Sequence, residues 1–481
     1  MIQNKRLLLI APPFYQLYKE TFTSNLYPLS LGYLASSVKK YTSWDVLVYN
    51  SDFSPEREPF DIEYFRGEGF SAYTGRLNDP CAEPWRKIKH LMADYRPSVL
   101  GISIKSPGIA SALMVAKIAR ETDERIQIIA GGPHATIMKE KMFPEPLIDI
   151  IFMGEGEKRL PEILLCLENR GDLKHIKGIV YKKGGENHIN PPATHIRNLD
   201  SLPFPFEHAS SVLYDYHKYT DDCFGHIMAT RGCIYNCSFC SSRTIWGRKV
   251  RFRSPENIIQ EILMLKENHI ESIHFEDDTF GVTPEYLKAL TKEIVNNIPG
   301  LKWTCEIHVN LVTDANLELM KKSGCRLVKM GIESGNNQIL KSIKKGFTIE
   351  TAIKKCEMIK QYKMDLEVFF MAGFPEETEE SMEDTYRAME EIDCDKVIYS
   401  IFTPYSGTEA FACCSEKGRI PKDYNPALYN HQSPLNCFCG IHPERFKELS
   451  GRMEKLAGKK NGAYRRYQKN VYGKLQEAKK S

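Results

Sequence analysis

The residues with the clearest chemistry are three cysteines in one short segment, Cys233, Cys237 and Cys240. Their spacing, with three and then two residues between them, supplies three thiolates to a four-iron cluster and leaves one iron without a protein ligand. A substrate or cofactor can bind that iron directly. Structural zinc sites use four protein ligands, often as two Cys-x-x-Cys pairs, and no second pair lies nearby. The segment therefore predicts an iron–sulfur cluster with one open iron.

Polar and glycine-rich motifs follow three apolar runs in the same half of the chain. They are EDDTF at 276–280, GIESG at 331–335 and MAGFPEET at 371–378. Glu306 and His308 follow another such run, and they are interpreted either as substrate-facing or as structural. Catalytic groups of β/α barrels lie on loops at the carboxyl ends of the strands. We therefore expect these motifs to surround the cysteine segment at one mouth of a barrel.

The elements that would position these motifs alternate between strands and helices. Six such units predict a partial (β/α)6 barrel. The predicted strands are at 226–230, 272–277, 301–307, 326–332, 366–373 and 396–402. The predicted helices are at 255–268, 284–297, 313–324, 348–362 and 379–392.

The N-terminal part of the chain also alternates, with strongly apolar strand-like segments separated by helices. This pattern is typical of a parallel sheet covered on both faces, and such sheets bind ligands at the carboxyl ends of their strands. Two glycine-rich loops follow predicted strands there, GGPHAT at 131–136 and GEGE at 154–157. Their backbone can approach a large flat ligand closely. The predicted strands are at 7–12, 44–50, 99–104, 126–132 and 149–154, and the helices are at 29–40, 109–121 and 157–168.

This α/β pattern divides the chain into four parts. They are an N-terminal α/β domain at 1–170, a linker at 171–224, the barrel at 225–405, and a small, mostly α-helical C-terminal region at 406–481. The linker contains a predicted β-hairpin at 177–190 with a Gly-Gly turn. The segment 51–95 is longer than a connection between two strands needs. It is interpreted as an ordered insertion over the ligand site.

Composition and charge exclude several classes of protein. The chain of 481 residues has a net charge of +3 and is 42% hydrophobic, so nothing in it demands nucleic-acid binding. No apolar stretch reaches the ~18 residues of a membrane span, and the apolar run near the start is too short for a signal peptide. A disulfide framework is not expected among the 14 cysteines of a chain this long. We expect a cytoplasmic protein, and a monomer.

The cysteine segment, with Phe239 before its last cysteine, resembles that of the radical S-adenosylmethionine (SAM) superfamily. The resemblance implies that SAM binds the open iron and that the motifs at the barrel mouth hold it. Asp277 or Asp278 would receive the amino group of the methionine portion, and Glu333 the ribose hydroxyls. The other SAM-site residues that the resemblance implies are Phe239 at the adenine, Ser334 as an orienting group, and Gly373 in the loop that cradles adenine and methionine.

The N-terminal part resembles the flavodoxin-like cobalamin-binding domain that precedes many radical SAM enzymes. It carries YPLSLGYLA at 27–35 ahead of the two glycine-rich loops. Methionine-synthase-like cobalamin domains have a histidine after the first strand, and the loop at 11–25 has none. We therefore expect cobalamin with its own base displaced and no protein imidazole on cobalt, with His134 at the corrin edge or capping a turn. The residues expected to contact cobalamin are Ser103, Gly131, Gly132, His134, Thr136, Gly154, Glu155 and Gly156.

The two resemblances together identify the chain as a member of the cobalamin-dependent radical SAM enzymes, with a [4Fe–4S] cluster, SAM and cobalamin as cofactors. The class B methyltransferases of this family imply methylation of an unactivated carbon in a small molecule or peptide, with electrons from an external flavodoxin or ferredoxin. The alternative is a non-methylating cyclase or rearrangement enzyme. More distant alternatives are a non-enzymatic cobalamin-binding module and a methylthiotransferase. The latter needs a second cysteine triplet, and the N-terminal domain contains only Cys81 and Cys166.

Four cysteines of the C-terminal region form two short pairs, Cys413 with Cys414 and Cys437 with Cys439. They are interpreted either as ligands of a second cluster or as buried thiols, and the family resemblance favours buried thiols. The basic tail at 442–481 is expected to be a helix with solvated charges. The sequence does not specify the substrate.

Overall fold

The computed structural model describes residues 4–24, 26–56, 58, 62–142 and 147–478. Its N-terminal part contains seven strands, which are β1 (Arg6–Ala11), β2 (Asp45–Asn50), β3 (Val99–Ser103), β4 (Gln127–Gly131), β5 (Ile150–Phe152), β6 (Ile179–Lys183) and β7 (Glu186–Ile189). They form one sheet in the order β2-β1-β3-β4-β5-β6-β7. Strands β1 to β5 pair in parallel, as predicted for a flavodoxin-like domain.

Both faces of this sheet are buried, as its continuous apolar strands require. Leu7 and Leu9 of β1 belong to one hydrophobic core, and Leu8 and Ile10 belong to another on the opposite face. The helices that cover the sheet and its loops are α1 (Tyr15–Tyr18), α2 (Leu29–Tyr41), α3 (Ile62–Arg66), α4 (Glu68–Asn78), α5 (Glu83–Tyr95), α6 (Ile109–Thr122), α7 (Pro133–Met138) and α8 (Arg159–Glu168).

The insertion between β2 and β3 is largely helical, since it contains α3, α4 and α5. Its side chains contact the C-terminal region: the Tyr73 hydroxyl donates to the Ala427 carbonyl at 2.7 Å, and Arg66 pairs with Glu454 at 2.7 Å. The insertion is therefore ordered, as expected, and it connects the N-terminal domain to the C-terminal region.

The predicted hairpin forms, and it continues the N-terminal sheet. Strand β6 pairs antiparallel with β5, and β7 pairs antiparallel with β6. Gly184 and Gly185 make the turn with positive φ angles of 62° and 86°, a conformation that glycine adopts without steric cost. The sheet thus extends beyond residue 170 into the segment that was expected to be linker.

The second sheet forms the predicted partial barrel. Its strands are β8 (His226–Ile227), β11 (Ser272–Phe275), β12 (Lys302–Glu306), β13 (Cys325–Glu333), β14 (Asp365–Ala372) and β15 (Lys396–Ile401). All pair in parallel, in the order β15-β14-β13-β12-β11-β8. The single strand predicted at 226–230 is instead divided. Its second half, β9 (Thr230–Arg231), leaves the barrel and pairs antiparallel with β10 (Arg251–Phe252).

The barrel helices begin at capped positions. Ser254, Thr283, Thr313, Thr348 and Thr378 each accept a hydrogen bond from a backbone N–H in the first turn of the helix that follows. These caps fix where each helix starts. The helices between residues 209 and 391 are α9 (Ala209–Val212) and α10 (Ser242–Trp246), which have no side-chain cap, and α11 (Pro255–Glu267), α12 (Pro284–Asn297), α13 (Asp314–Lys322), α14 (Asn337–Ser342), α15 (Ile349–Gln361) and α16 (Glu379–Glu391).

The C-terminal region contains α17 (Glu409–Glu416) and the long α18 (Pro443–Ala478), with an irregular segment between them. The first turns of α18 pack on the barrel, since Phe446, Leu449 and Met453 are buried in the same core as β15. The helix predicted for the tail therefore forms, and its side chains beyond residue 462 lie outside the described part. Within the described ranges, no helix is both long and apolar enough to cross a membrane.

Candidate active site

The three predicted cluster ligands lie in one loop between β9 and α10. Cys233, Cys237 and Cys240 are free thiols, and the Cys240 N–H donates to the Cys237 carbonyl at 3.1 Å. The Ser238 N–H donates to the Ile343 carbonyl at 3.0 Å, which ties the loop to the segment after α14. Burial raises the pKa of Cys233 and of Cys240 to about 11. Three thiols in one pinned loop form a donor set that fits an iron–sulfur cluster.

The same loop does not form a site for a single metal ion. In the described ranges, no three side chains of His, Cys, Asp or Glu converge closely enough to hold one ion. The assignment to a four-iron cluster therefore rests on the cysteine spacing.

The two adjacent carboxylates after β11 have different positions. Asp277 is 3% exposed and accepts hydrogen bonds from the Ala229 N–H and the Thr230 hydroxyl, both at 2.7 Å. Burial raises its pKa to about 7, against the effect of these hydrogen bonds. Asp278 accepts from the Gly232 N–H at 3.1 Å, beside the first cluster cysteine. Asp277 thus binds the backbone between β8 and β9, and Asp278 lies at the cysteine loop.

Glu333 lies at the end of β13 in an unusual backbone conformation. Its φ angle is 74°, which costs free energy in a residue with a side chain and is found mostly at functional sites. Its carboxylate is 3.3 Å from the Lys345 ammonium. A Cβ atom at Gly331 would lie 2.5 Å from the Glu333 carboxylate, so a side chain at that position would displace this carboxylate. The GIESG motif therefore fixes one buried carboxylate at the barrel mouth.

Ser334 and Gly373 occupy neighbouring strand ends. The Ser334 hydroxyl is fully buried between Thr385 and the backbone N–H of Asn336, so it orients the loop. Gly373 has a φ angle of 97°, and its N–H donates to Glu377 at 3.1 Å. Burial raises the pKa of Glu377 to about 7. Sequence analysis missed Glu377, although a carboxylate four residues after a strand-end glycine was the available signal.

His308 contacts the cysteine loop. Its ring stacks on Tyr235, with ring centroids 3.4 Å apart, and its Nδ1 accepts from the Asn310 N–H at 3.2 Å. Burial lowers its pKa to about 3, and the nearby Lys345 ammonium adds to this shift. His308 therefore packs as a neutral ring behind Tyr235. Phe239 packs against Phe374 of the MAGFPEET loop, at 5.6 Å between ring centroids.

A polar layer lies inside the barrel, on the face of the strands opposite to the helices. Glu306, Lys329, Glu367 and Lys396 occupy successive register positions across β12 to β15, and Lys396 pairs with Glu367 at 2.9 Å. Burial raises the pKa of Glu306, and the charge of Lys329 opposes this shift. Sequence analysis identified only Glu306 of this layer. Charged residues within otherwise apolar strands were the missed signal.

The layer continues across β8 and β11. His226 Nδ1 is 2.6 Å from the Glu276 carboxylate, and His274 Nδ1 is 2.6 Å from the Thr304 hydroxyl. Lys329 Nζ lies 3.3 Å from His274 Nε2. The barrel interior thus offers charged and neutral hydrogen-bonding groups beneath the strand ends.

A cavity of about 310 Å³ lies at the carboxyl ends of the N-terminal strands. Apolar side chains of the sheet, of α2 and of α8 form much of its wall, and residues of the barrel side form the rest. Seven of the eight residues predicted to contact cobalamin line it: Ser103, Gly131, Gly132, Thr136, Gly154, Glu155 and Gly156. No described residue of the insertion at 51–95 lines it, so the expectation that the insertion covers this site is wrong.

The cavity has features that suit a large flat ligand such as a corrin. Gly101 lies in mid-strand on its wall, where a Cβ would meet Leu9 at 2.6 Å, so the missing side chain makes room. Thr136 links the two glycine-rich loops, because its hydroxyl donates to the Gly132 carbonyl at 2.9 Å and accepts from the Gly154 N–H at 3.0 Å. An apolar slot with backbone-rich edges fits cobalamin.

His134 does not line this cavity. The side chain is 3% exposed, and its Nδ1 is 3.0 Å from the Ser106 hydroxyl. Burial lowers its pKa to about 4, so the ring is neutral at physiological pH. The sequence left two roles open for His134, a position at the corrin edge or capping of a turn. The structure agrees with the second, because the ring contacts Ser106 in the loop after β3.

A buried ion cluster joins the cavity to the cysteine loop, and sequence analysis missed it. The guanidinium of Arg231 binds Glu155 and Glu157, both at 2.6 Å. Glu155 and Glu157 belong to the GEGE loop, and Arg231 stands two residues before Cys233. Glu157, Arg231 and Trp246 also line the cavity. Glu157 Oε2 is buried without a protein partner, so it can accept a hydrogen bond from a corrin amide.

Within the described residues, the four cysteines of the C-terminal region do not form a group that could hold a single metal ion. Cys414 and Cys439 are buried, and Cys413 and Cys437 are partly buried. All four are free. Of the two interpretations, buried thiols agree with these positions.

Comparisons with known proteins support two families. The radical SAM superfamily matches residues 227–389, and the B12 binding domain matches residues 15–164. An uncharacterized methyltransferase of Pyrococcus horikoshii is 32% identical over 409 residues, which are 84% of this chain and 82% of the relative. The anaerobic magnesium-protoporphyrin IX monomethyl ester cyclase of Rubrivivax gelatinosus is 24% identical over 361 residues, which are 73% of this chain and 63% of that protein.

Among solved structures, the radical SAM methyltransferase TsrM of Kitasatospora setae has the same fold. Its TM-score is 0.66 at 17% identity, over 86% of this chain and 76% of that chain. The cysteine loop, the cavity at the glycine-rich loops and the long alignment with the Pyrococcus protein agree with one another. The chain therefore belongs to the cobalamin-dependent radical SAM enzymes, whose cofactors are a [4Fe–4S] cluster, SAM and cobalamin.

Proposed function

We propose that the protein is a cobalamin-dependent radical SAM methyltransferase that acts on an unactivated carbon. The observation that carries this proposal is the shared wall between the two cofactor sites. Ile245 and Trp246 of α10, the helix directly after the cysteine loop, line the same cavity as the glycine-rich loops of the N-terminal domain. A substrate at the barrel mouth can therefore face both cofactors.

Within this proposal the residues of the barrel mouth hold SAM. Cys233, Cys237 and Cys240 bind the cluster. Asp278, beside the cysteine loop, receives the amino group of the methionine portion, while Asp277 supports it from the strand. The remaining roles are Glu333 at the ribose, Ser334 as its support, Phe239 at the adenine, and Gly373 in the loop that cradles SAM.

The cofactors supply radical cleavage of SAM and a transferable methyl group, and the protein supplies position and exclusion of water. One C–H bond of the substrate breaks and one C–CH3 bond forms. The reaction consumes two SAM molecules and two electrons from an external flavodoxin or ferredoxin. It yields the methylated product, 5′-deoxyadenosine, methionine and S-adenosylhomocysteine. The substrate is a small molecule or a peptide, and its polar groups would meet the polar layer inside the barrel.

Incubation of the reduced holoenzyme with its substrate and with SAM that carries a deuterated methyl group tests the proposal. We expect a product heavier by the labelled methyl, together with 5′-deoxyadenosine and S-adenosylhomocysteine, measured by mass spectrometry. Candidate substrates can be screened by their stimulation of 5′-deoxyadenosine formation. A product of changed oxidation state or ring connectivity without the label would instead support cyclase activity, in line with the cyclase relative.

Electron paramagnetic resonance of the protein with Co(II) cobalamin should show no nitrogen superhyperfine splitting from a protein ligand. The reason is that His134 is buried away from the cavity and its Nδ1 is engaged with Ser106. The variant His134→Ala should give the same spectrum. Splitting that disappears in this variant would contradict the expected absence of a histidine on cobalt.

A further inference from the structure

The ion cluster around Glu155 joins three segments that are distant in the chain. Its carboxylate accepts from Arg231 at 2.6 Å and from the Arg251 guanidinium at 2.7 and 2.9 Å. The same carboxylate accepts from the Ile196 N–H at 2.7 Å, and Arg251 also donates to the Ile196 carbonyl at 2.7 Å. The GEGE loop, the linker at Ile196 and the paired strands β9 and β10, which flank the cysteine loop, therefore meet at one carboxylate.

The cluster is deeply buried and stacked between aromatic rings. Arg231 is 4% exposed and Glu155 is 6% exposed. The Arg231 guanidinium lies 5.2 Å from the centroid of Tyr33 on α2 and 5.6 Å from that of Trp246 on α10. Burial alone would raise the pKa of Glu155, but the charge of Arg231 and the hydrogen bonds outweigh it, and the net shift is downward. Glu155 is therefore ionised, and the contact is a true ion pair.

Such a pair fixes geometry more than it adds stability. A buried ion pair contributes little net free energy, because desolvation offsets the attraction, but it tolerates little displacement of its partners. A guanidinium that binds two carboxylates at once adds a fixed orientation. Arg231 binds two carboxylates in this way, those of Glu155 and Glu157 in the GEGE loop. Only Gly232 separates Arg231 from Cys233.

We propose that the Arg231–Glu155–Arg251 ion cluster is a positioning device that sets the separation between the cobalamin cobalt and the [4Fe–4S] cluster. This inference rests on the proposed function for its purpose, since methyl transfer requires both cofactors to reach one substrate. The residues themselves neither bind the iron nor react. They fix the position of the GEGE loop, at the cobalamin cavity, relative to the cysteine loop.

Pulsed electron paramagnetic resonance tests this directly in the full-length holoenzyme reduced with dithionite, without any substrate. The dipolar coupling between Co(II) and the reduced cluster reports their separation. We expect one narrow distance distribution in the wild type. In Arg231→Lys the ammonium can bind only one carboxylate, so the distribution should broaden or shift beyond its wild-type width. Arg251 does not line the cavity, and Arg251→Lys should broaden or shift the distribution in the same way. It replaces Arg231→Lys in the experiment if that variant folds poorly.

The matched control is Arg253→Lys. Arg253 pairs with Glu261 of α11 at 2.5 Å, and both side chains are as deeply buried as those of Arg231 and Glu155. This variant should lower the melting temperature and leave the distance distribution unchanged. Unchanged distance distributions in both Arg231→Lys and Arg251→Lys, at full cofactor occupancy, would overturn the proposal. Equal broadening in the control, or loss of cobalamin from both ion-cluster variants, would also overturn it. A holoenzyme with the expected distances and no labelled product would contradict only the proposed methyl transfer.

Discussion

The variant Cys237→Ala should contain no stable [4Fe–4S] cluster and should form no 5′-deoxyadenosine from SAM. The remaining thiols, Cys233 and Cys240, would leave two of the four irons without a protein ligand, and two thiolates hold such a cluster poorly. Iron and sulfide analysis and the visible absorbance of the anaerobically reconstituted protein measure the first effect. Chromatographic detection of 5′-deoxyadenosine after reduction measures the second.

The control for this experiment is Cys81→Ala. Cys81 is an exposed free thiol outside the cysteine loop, so its loss should change neither the iron content nor SAM cleavage. Cobalamin binding should survive in Cys237→Ala, because the cavity contains none of the three cysteines. A full complement of iron in Cys237→Ala would rule out our assignment of the cluster ligands.

Replacing Gly101 with valine should weaken cobalamin binding by about 100-fold, because a side chain would fill the slot that the bare strand leaves open. A Cβ at this position already lies 2.6 Å from Leu9, so two further methyl groups must displace either that side chain or the ligand. Overpacking of this kind costs about 1–3 kcal/mol, and ~2.7 kcal/mol corresponds to 100-fold in affinity. Titration of the apoprotein with cobalamin, followed by absorbance, measures the effect.

Gly75 in α4 provides the matched control, because a Cβ there meets nothing within 4 Å. Gly75→Ala should bind cobalamin like the wild type. Cleavage of SAM should continue in Gly101→Val, which shows that the barrel is folded. Wild-type affinity in Gly101→Val would contradict the placement of cobalamin in this cavity.

The sequence predicted the elements and the motifs well where the signal is local. Apolar strands alternate with helices in both halves of the chain, so the two α/β sheets follow from the pattern, and the helices predicted between these strands lie within two residues of the observed bounds. The cysteine spacing and the glycine-rich loops identify the two cofactor sites for the same reason. Each of these signals lies within a few residues of chain.

The missed features depend on contacts between distant parts of the chain. Arg231 and Glu155 are 76 residues apart, and no local pattern indicates that they meet. The division of the strand at 226–230 also involves a distant segment, because β9 pairs with β10 about 20 residues later in the chain. Asp277 and Asp278 are indistinguishable in sequence, and only the backbone between Ala229 and Gly232 shows which one lies at the cysteine loop.

The hairpin of β6 and β7 has a consequence for anyone who wishes to study the cobalamin-binding half alone. A fragment that ends at residue 170 would lack β6, and the backbone of β5 would become an unpaired edge that invites pairing with other chains. A further backbone hydrogen bond lies just outside the two strands, from the Gly178 N–H before β6 to the Pro191 carbonyl after β7, at 2.7 Å. An autonomous fragment should therefore continue through Pro191, and one cut at residue 170 should aggregate.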